Sequence, residues 1–290
     1  MWREYPYDDQ ALQAELLELA RQGVEEALVS VSLNGELVRE FRVPTAIGIP
    51  PLETDDWEVQ PITEIAATVA RRVCPVGSVG SVGSGRPTDA VDDPVDRVAQ
   101  ADQVTRAGLV LIDGDAGSGK STFAQALAQE LPGPATVVPV DDISWHHQLL
   151  DWTDAMLTGV VQPWLAGQEV AYRPPGWVAK GRPGGVIVQK NTEYLIIEGM
   201  AAARPELQRL GALTVFVSSD PKVAVERLLA RDLALGVNGD SRAEAYGFHA
   251  GFQAAVVPFI LRHQPWEHAA LLVDGTAGTA PGHFAVIEQR

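Results

Sequence analysis

The chain has one cysteine, few lysines and no long apolar run. Cys74 stands alone among 290 residues, so neither an intramolecular disulfide nor a zinc site of several thiolates can form, and a reducing, cytoplasmic setting is expected. No stretch approaches the roughly 18 apolar residues of a membrane span. The first residues, Met-Trp-Arg-Glu-Tyr-Pro-Tyr, lack the basic and apolar regions of a secretory leader. Positive charge is scarce: 22 Lys and Arg face 38 Asp and Glu, for a net charge of −16. That balance opposes nucleic acid and anionic membrane surfaces as partners and favours a small molecule held in a local basic pocket. A homo-oligomer is compatible with all of this. Only four lysines occur, and one of them, Lys120, stands in the most informative stretch of the chain.

That stretch is Gly114-Asp115-Ala116-Gly117-Ser118-Gly119-Lys120-Ser121-Thr122, which fills every position of the phosphate-binding loop G-x-x-x-x-G-K-[ST]. Its glycines let consecutive backbone N–H groups point at phosphate oxygens, and the Lys120 ammonium can neutralise β- and γ-phosphates. The Ser121 hydroxyl can ligate Mg²⁺, so ATP with Mg²⁺ is the expected ligand pair. The context agrees. Residues 109–112 read as a short buried strand and 122–131 have helical apolar spacing, which turns a helix N-terminus toward the phosphates. Lys120 itself is expected in a solvated loop.

Residues 75–87 read PVGSVGSVGSGRP, a repeat whose glycines and serines make a flexible, solvated linker. The expected organisation is therefore a small domain over 1–74, a linker and lead-in helix over 75–104, and a loop-bearing domain over 105–290. The first segment is acidic, with 14 Asp and Glu against six Arg and no Lys. Its pattern predicts a helix over 9–21, a hairpin of strands 27–33 and 36–43 about Asn34-Gly35, and a helix over 62–73, a small α+β unit. Beyond Pro94 the pattern predicts a helix, strands over 109–112, 135–140, 194–197 and 213–217, and a helix over 221–235. Such an order gives an α/β fold whose parallel sheet is covered on both faces. Ligands gather at the carboxyl ends of its strands.

Acidic residues stand at those ends. Asp141 or Asp142 can take the proton of an attacking hydroxyl or help to hold Mg²⁺, and strand alternation predicts that the two point to opposite sides. Glu198, which closes an apolar run, can reach the metal through water. Arg227 and Arg231 lie four apart beside Asp232 and can close over a transferring phosphate. Trp145, Trp152, Tyr172 and Trp177 either line an acceptor pocket or pack in the core.

Together IDGDAGSGKST (112–122), VDDISW (140–145), LIIEGM (195–200), ERLLARDLALG (226–236) and AALLVDG (269–275) resemble the uridine kinase-like branch of P-loop kinases, over residues 105–275. The resemblance implies the P-loop NTPase three-layer fold and transfer of the γ-phosphate of ATP to a hydroxyl of a nucleoside-like or other metabolite. It places the catalytic aspartate at Asp141 or Asp142, the phosphate-loop lysine at Lys120, the post-strand glutamate at Glu198 and the lid arginine at Arg231, with Arg242 next in line. The pattern departs at 172–177, where glycine stands in place of an acid of the nucleoside kinases. A P-loop NTPase without a small-molecule acceptor and a nucleotide-sensing binding module are the alternatives.

Overall fold

The structure is a computed structural model that describes residues 2–4, 26–33, 36–44, 52, 54–73, 108–146 and 150–289. The helix expected over 9–21, the Val-Gly-Ser linker and the lead-in helix lie outside the described residues. What is described falls into two compact units. One takes the described parts of Met1–Glu53 with Asp115–Gly119 and Ser218–Gln264, and the other takes those of Thr54–Gly114, Lys120–Val217 and Pro265–Arg290.

In the first unit, β1 (Trp2–Glu4), β2 (Glu26–Leu33) and β3 (Glu36–Pro44) form a three-stranded sheet in that order. Strands β2 and β3 pair antiparallel from Leu33 opposite Glu36, as the Asn34-Gly35 signal requires, and β1 runs parallel to β2.

The second unit opens with β4 (Glu58–Pro61) and α1 (Ile62–Arg72), then β5 (Leu109–Gly114), α2 (Lys120–Glu130), β6 (Ala135–Pro139) and α3 (Val140–Ser144). A buried helical stretch follows, made of α4 (Thr153–Met156), a π-helical turn (Leu157–Val161) and α5 (Gln162–Leu165). Next come β7 (Val170–Tyr172), α6 (Pro175–Ala179), β8 (Val186–Val188), β9 (Tyr194–Glu198), α7 (Pro205–Gln208) and β10 (Leu213–Ser218). The chain then forms α8 (Pro221–Leu235) and α9 (Arg242–His263) of the first unit, and returns as β11 (Leu271–Asp274) and β12 (His283–Glu288).

Seven strands make the main sheet, in the order β4-β12-β11-β10-β5-β9-β6. Its heart, β10-β5-β9-β6, is parallel, and the flank β11-β12-β4 pairs antiparallel. The expected parallel sheet is thus mostly parallel, extended by an antiparallel edge. Both faces of the parallel strands are covered, which is why β5, β9 and β10 read as continuous apolar runs rather than alternating ones. Alternate residues feed the two faces: Leu109, Leu111, Leu195 and Ile197 meet Trp152, Met156 and Trp164 on one side. Val110, Ile112, Ile196 and Val215 meet Phe123, Leu127, Ile65 and Val69 on the other. Among the described residues, no helix is long and apolar enough to cross a membrane.

The described residues 54–73 group with the main sheet rather than with β1, β2 and β3. Strand β4 pairs with β12, Pro61 opposite His283, and α1 buries Ile62, Ile65, Ala66 and Val69 in the same core as Phe123 of α2. The Gly/Ser-rich composition begins only after residue 74, which is why the sequence alone places β4 and α1 with the first strands. Ile65 is fully buried, so Ile65→Ala is expected to destabilise the sheet unit by about 3 kcal/mol. Chemical denaturation of the full chain checks this. A midpoint equal to wild type would return the helix to a separate body.

Candidate functional site

Strand β5 ends at Gly114 and α2 begins at Lys120, so the loop between them makes the strand-to-helix turn that its sequence requires. Gly117 has φ 77° and Gly119 φ 100°, conformations that side-chain-bearing residues rarely adopt. At Gly117 an added Cβ would also meet the Ala224 carbonyl oxygen of α8 at 2.2 Å. The same loop is held from α9, where the Gln253 amide donates to the Asp115 carboxylate, which also accepts from the Ala116 N–H at 2.7 Å.

The larger unit gathers the chemical residues at the carboxyl ends of three neighbouring strands. Register puts Glu198, at the end of β9, opposite Ile112 of β5 on one side and Pro139 of β6 on the other. The Ser121 hydroxyl donates to Glu198 Oε1 at 3.2 Å. Burial raises the Glu198 carboxyl above its ordinary range; the Lys120 charge opposes this, the Asp141 and Asp142 charges add to it, and the Ser121 hydrogen bond opposes it. Lys120, Ser121, Asp141 and Asp142 are therefore all within reach of the Glu198 carboxyl. Lys120 is only 8% exposed, which corrects the expectation of a solvated side chain: as the first residue of α2 it turns inward, where buried carboxylates balance it.

Asp113, at the end of β5, is one of those carboxylates and is almost fully buried. It accepts the N–H groups of Gly114 at 2.7 Å and of Ala201 and Ala203 at 2.9 Å, stitching the end of β5 to the turn after β9. Burial raises its carboxyl from 3.8 to about 6, against the opposing pull of those hydrogen bonds and of Lys120. The folded chain thus binds this proton more tightly than the unfolded chain does. The contribution favours the fold fully below pH 3.8 and is lost as pH rises through about 6, on the order of 3 kcal/mol in all. Unfolding free energies measured from pH 4 to 7 are expected to fall with pH less steeply in Asp113→Asn than in wild type. Equal slopes would contradict the assignment.

Asp141 and Asp142 do not alternate as on a strand. Pro139 ends β6 and serves as N-cap of α3, so both aspartates sit in a helical first turn, where successive side chains diverge by about 100° rather than 180°. They differ in environment. Asp142 pairs with Arg182 at 2.9 Å, and its carbonyl accepts the Trp177 indole N–H at 2.7 Å. Asp141 is exposed and makes no hydrogen bond among the described residues. Of the aromatics, Trp152 is core, with the Arg204 guanidinium 4.5 Å above its ring, while Trp145 and Trp177 flank Arg182.

Arg231 lies on α8 in the other unit. Its Nε and Nη2 both donate to Asp232 Oδ1, at 3.0 and 2.8 Å. Asp232 Oδ2 is bonded to Asn238 at 2.7 Å and to His249 of α9 at 2.6 Å. Burial would raise the Asp232 carboxyl, but hydrogen bonds from Asn238, His249 and Arg231 outweigh it and hold the group below its ordinary range. Arg242, the expected substitute for Arg231, is instead paired with Glu226. His249 and Gln253 were missed by the sequence reading. They stand four apart on α9, so one helix face holds both the loop carboxylate Asp115 and the arginine-bearing Asp232.

Among the described residues no group of three or more His, Cys, Asp or Glu could hold a metal by itself. Ser121 and Glu198 nonetheless suit Mg²⁺, which takes one or two hard oxygen donors and completes its shell with water and phosphate.

No family model and no curated protein matches the chain. Among solved structures, a possible uridine kinase from Bacillus stearothermophilus is 14% identical, with 61% of this chain and 94% of that chain covered at a TM-score of 0.34.

Proposed function

We propose that this chain transfers the γ-phosphoryl group of ATP to a hydroxyl of a small molecule. The observation that supports it most is the gathering of Lys120, Ser121 and the exposed Asp141 about Glu198, at the end of β9. Cation, hydroxyl and carboxylates there match what phosphoryl transfer needs, which is positioning and neutralisation of charge. In this reading the backbone N–H groups of residues 114–120 cradle the phosphates. Lys120 neutralises them. Ser121 and Glu198 would hold Mg²⁺, which supplies further charge neutralisation on the phosphates when bound. Asp141, uncommitted in the structure, takes the proton of the acceptor hydroxyl as its oxygen bonds to phosphorus and ADP leaves. Asp142 holds Arg182. Arg231, held by Asp232 on α8, is the candidate lid arginine, a role that Arg231→Ala kinetics test by themselves.

Calorimetric titration with ATP, with and without Mg²⁺, followed by ADP release against a panel of hydroxyl compounds, tests the reading. ATP is expected to bind and ADP to appear in proportion to acceptor. Binding with neither hydrolysis nor transfer across the panel would make the chain a nucleotide-sensing module instead.

A further inference from the structure

Residues 170–190 carry Arg173, Lys180, Arg182 and Lys190 and no acidic residue, within a chain whose net charge is −16. One of these cations is built into place. The Arg182 guanidinium lies 3.6 Å from the ring centre of Trp177 and 5.1 Å from that of Trp145, and its Nη2 donates to Asp142 at 2.9 Å. The Arg182 carbonyl accepts from Arg173 at 2.8 Å, and the Trp177 indole N–H is fixed on the Asp142 carbonyl. Plane and one edge of the guanidinium are therefore set before any ligand arrives. Its Nε and Nη1 make no hydrogen bond among the described residues, and the side chain is 35% exposed.

A guanidinium stacked on an aromatic ring, with part of its donor fork open, presents carboxylate or phosphate oxygens with a geometry they match in pairs. Stacking also removes hydration from the cation without satisfying its N–H groups. Arg182 is bound to Asp142, the residue next to Asp141, so an oxyanion on that fork would sit beside the exposed carboxylate to which the proposed function gives the acceptor proton. One face of the Trp177 indole is occupied by the Arg182 guanidinium.

We propose that the acceptor bears an oxyanion, a carboxylate or a phosphate, which Arg182 binds while the acceptor hydroxyl meets Asp141. This rests on the kinase reading for the role of Asp141, though the anion site can be tested without it.

The test titrates the full chain with glycerol, glycerate and glycerol 3-phosphate, following tryptophan emission and heat, after ADP and Mg²⁺ have been added at saturation. ADP binding, measured first, reports on the proposed function by itself; without it the anion titrations are run alone. Glycerate or glycerol 3-phosphate is expected to bind and glycerol not, and which of the two binds identifies carboxylate or phosphate. Arg182→Ala is expected to weaken that binding about tenfold or more, the cost of losing a hydrogen-bonded charge partner. Arg182→Lys, which keeps the charge but loses the planar fork, is expected to fall between. No binding of either charged probe to wild type, or equal affinity in wild type and both variants, would overturn the proposal.

Discussion

Asp141→Asn is expected to lower phosphoryl transfer by on the order of 10² to 10⁴-fold, the range a positioned general base supplies, while ATP affinity stays close to wild type. The expectation follows from the unequal environments of the two aspartates. Asp141 is exposed without a hydrogen bond among the described residues, whereas Asp142 is already bound to Arg182. Asp142→Asn removes the charge that aims Arg182, so its effect is expected mainly in the KM of the acceptor. Steady-state kinetics on both variants separate the roles. Full turnover in Asp141→Asn with loss in Asp142→Asn would make Asp142 the base.

Lys120→Ala is expected to cut transfer by on the order of 10² to 10³-fold, comparable to removing a donor aimed at developing charge. It should also weaken ATP binding, since the ammonium meets β- and γ-phosphates before as well as during reaction. Because Lys120 is buried and lowers the carboxyls of Asp113 and Glu198, its loss removes a counter-charge from both groups. A lower unfolding midpoint is therefore expected beside the kinetic loss, and circular dichroism at the assay temperature shows whether the variant is folded when assayed. A folded variant with wild-type turnover would remove the loop from the chemistry.

Elements whose signals are local were legible in the sequence. Helix α8 begins and ends where expected because Asp220 caps it through the N–H groups of Lys222 and Val223, Pro221 opens it, and Gly236 closes it in the left-handed conformation. The four parallel strands were legible as apolar runs. Helix α9 was not, since it is apolar around much of its circumference and contains Pro258, which conventionally argues against a helix. The antiparallel flank was missed for another reason: β4 and β12 are joined by pairing across more than two hundred residues, which no window of sequence contains.

The site divides the same way. Lys120, Ser121 and Glu198 are fixed by a motif and by strand ends, so their convergence could be foreseen. Arg182 could not be, because nothing near it in sequence marks an arginine between prolines and glycines as special. Its position comes from Trp145, Trp177 and Asp142, each distant in the chain or separated by a turn. Asp232 and His249 likewise meet only when α8 and α9 pack. A buried aspartate beside an arginine near a helix end was the one available hint, and it pointed to the arginine rather than to what holds it.

The most direct measurement follows the γ-phosphate itself. ATP labelled at that position, incubated with the chain, Mg²⁺ and a panel of hydroxyl compounds, is expected to deliver its label to an organic acceptor as a phosphate ester, with ADP formed in equal amount and little inorganic phosphate. Label recovered as inorganic phosphate whatever acceptor is present would contradict the account and make the chain a hydrolase.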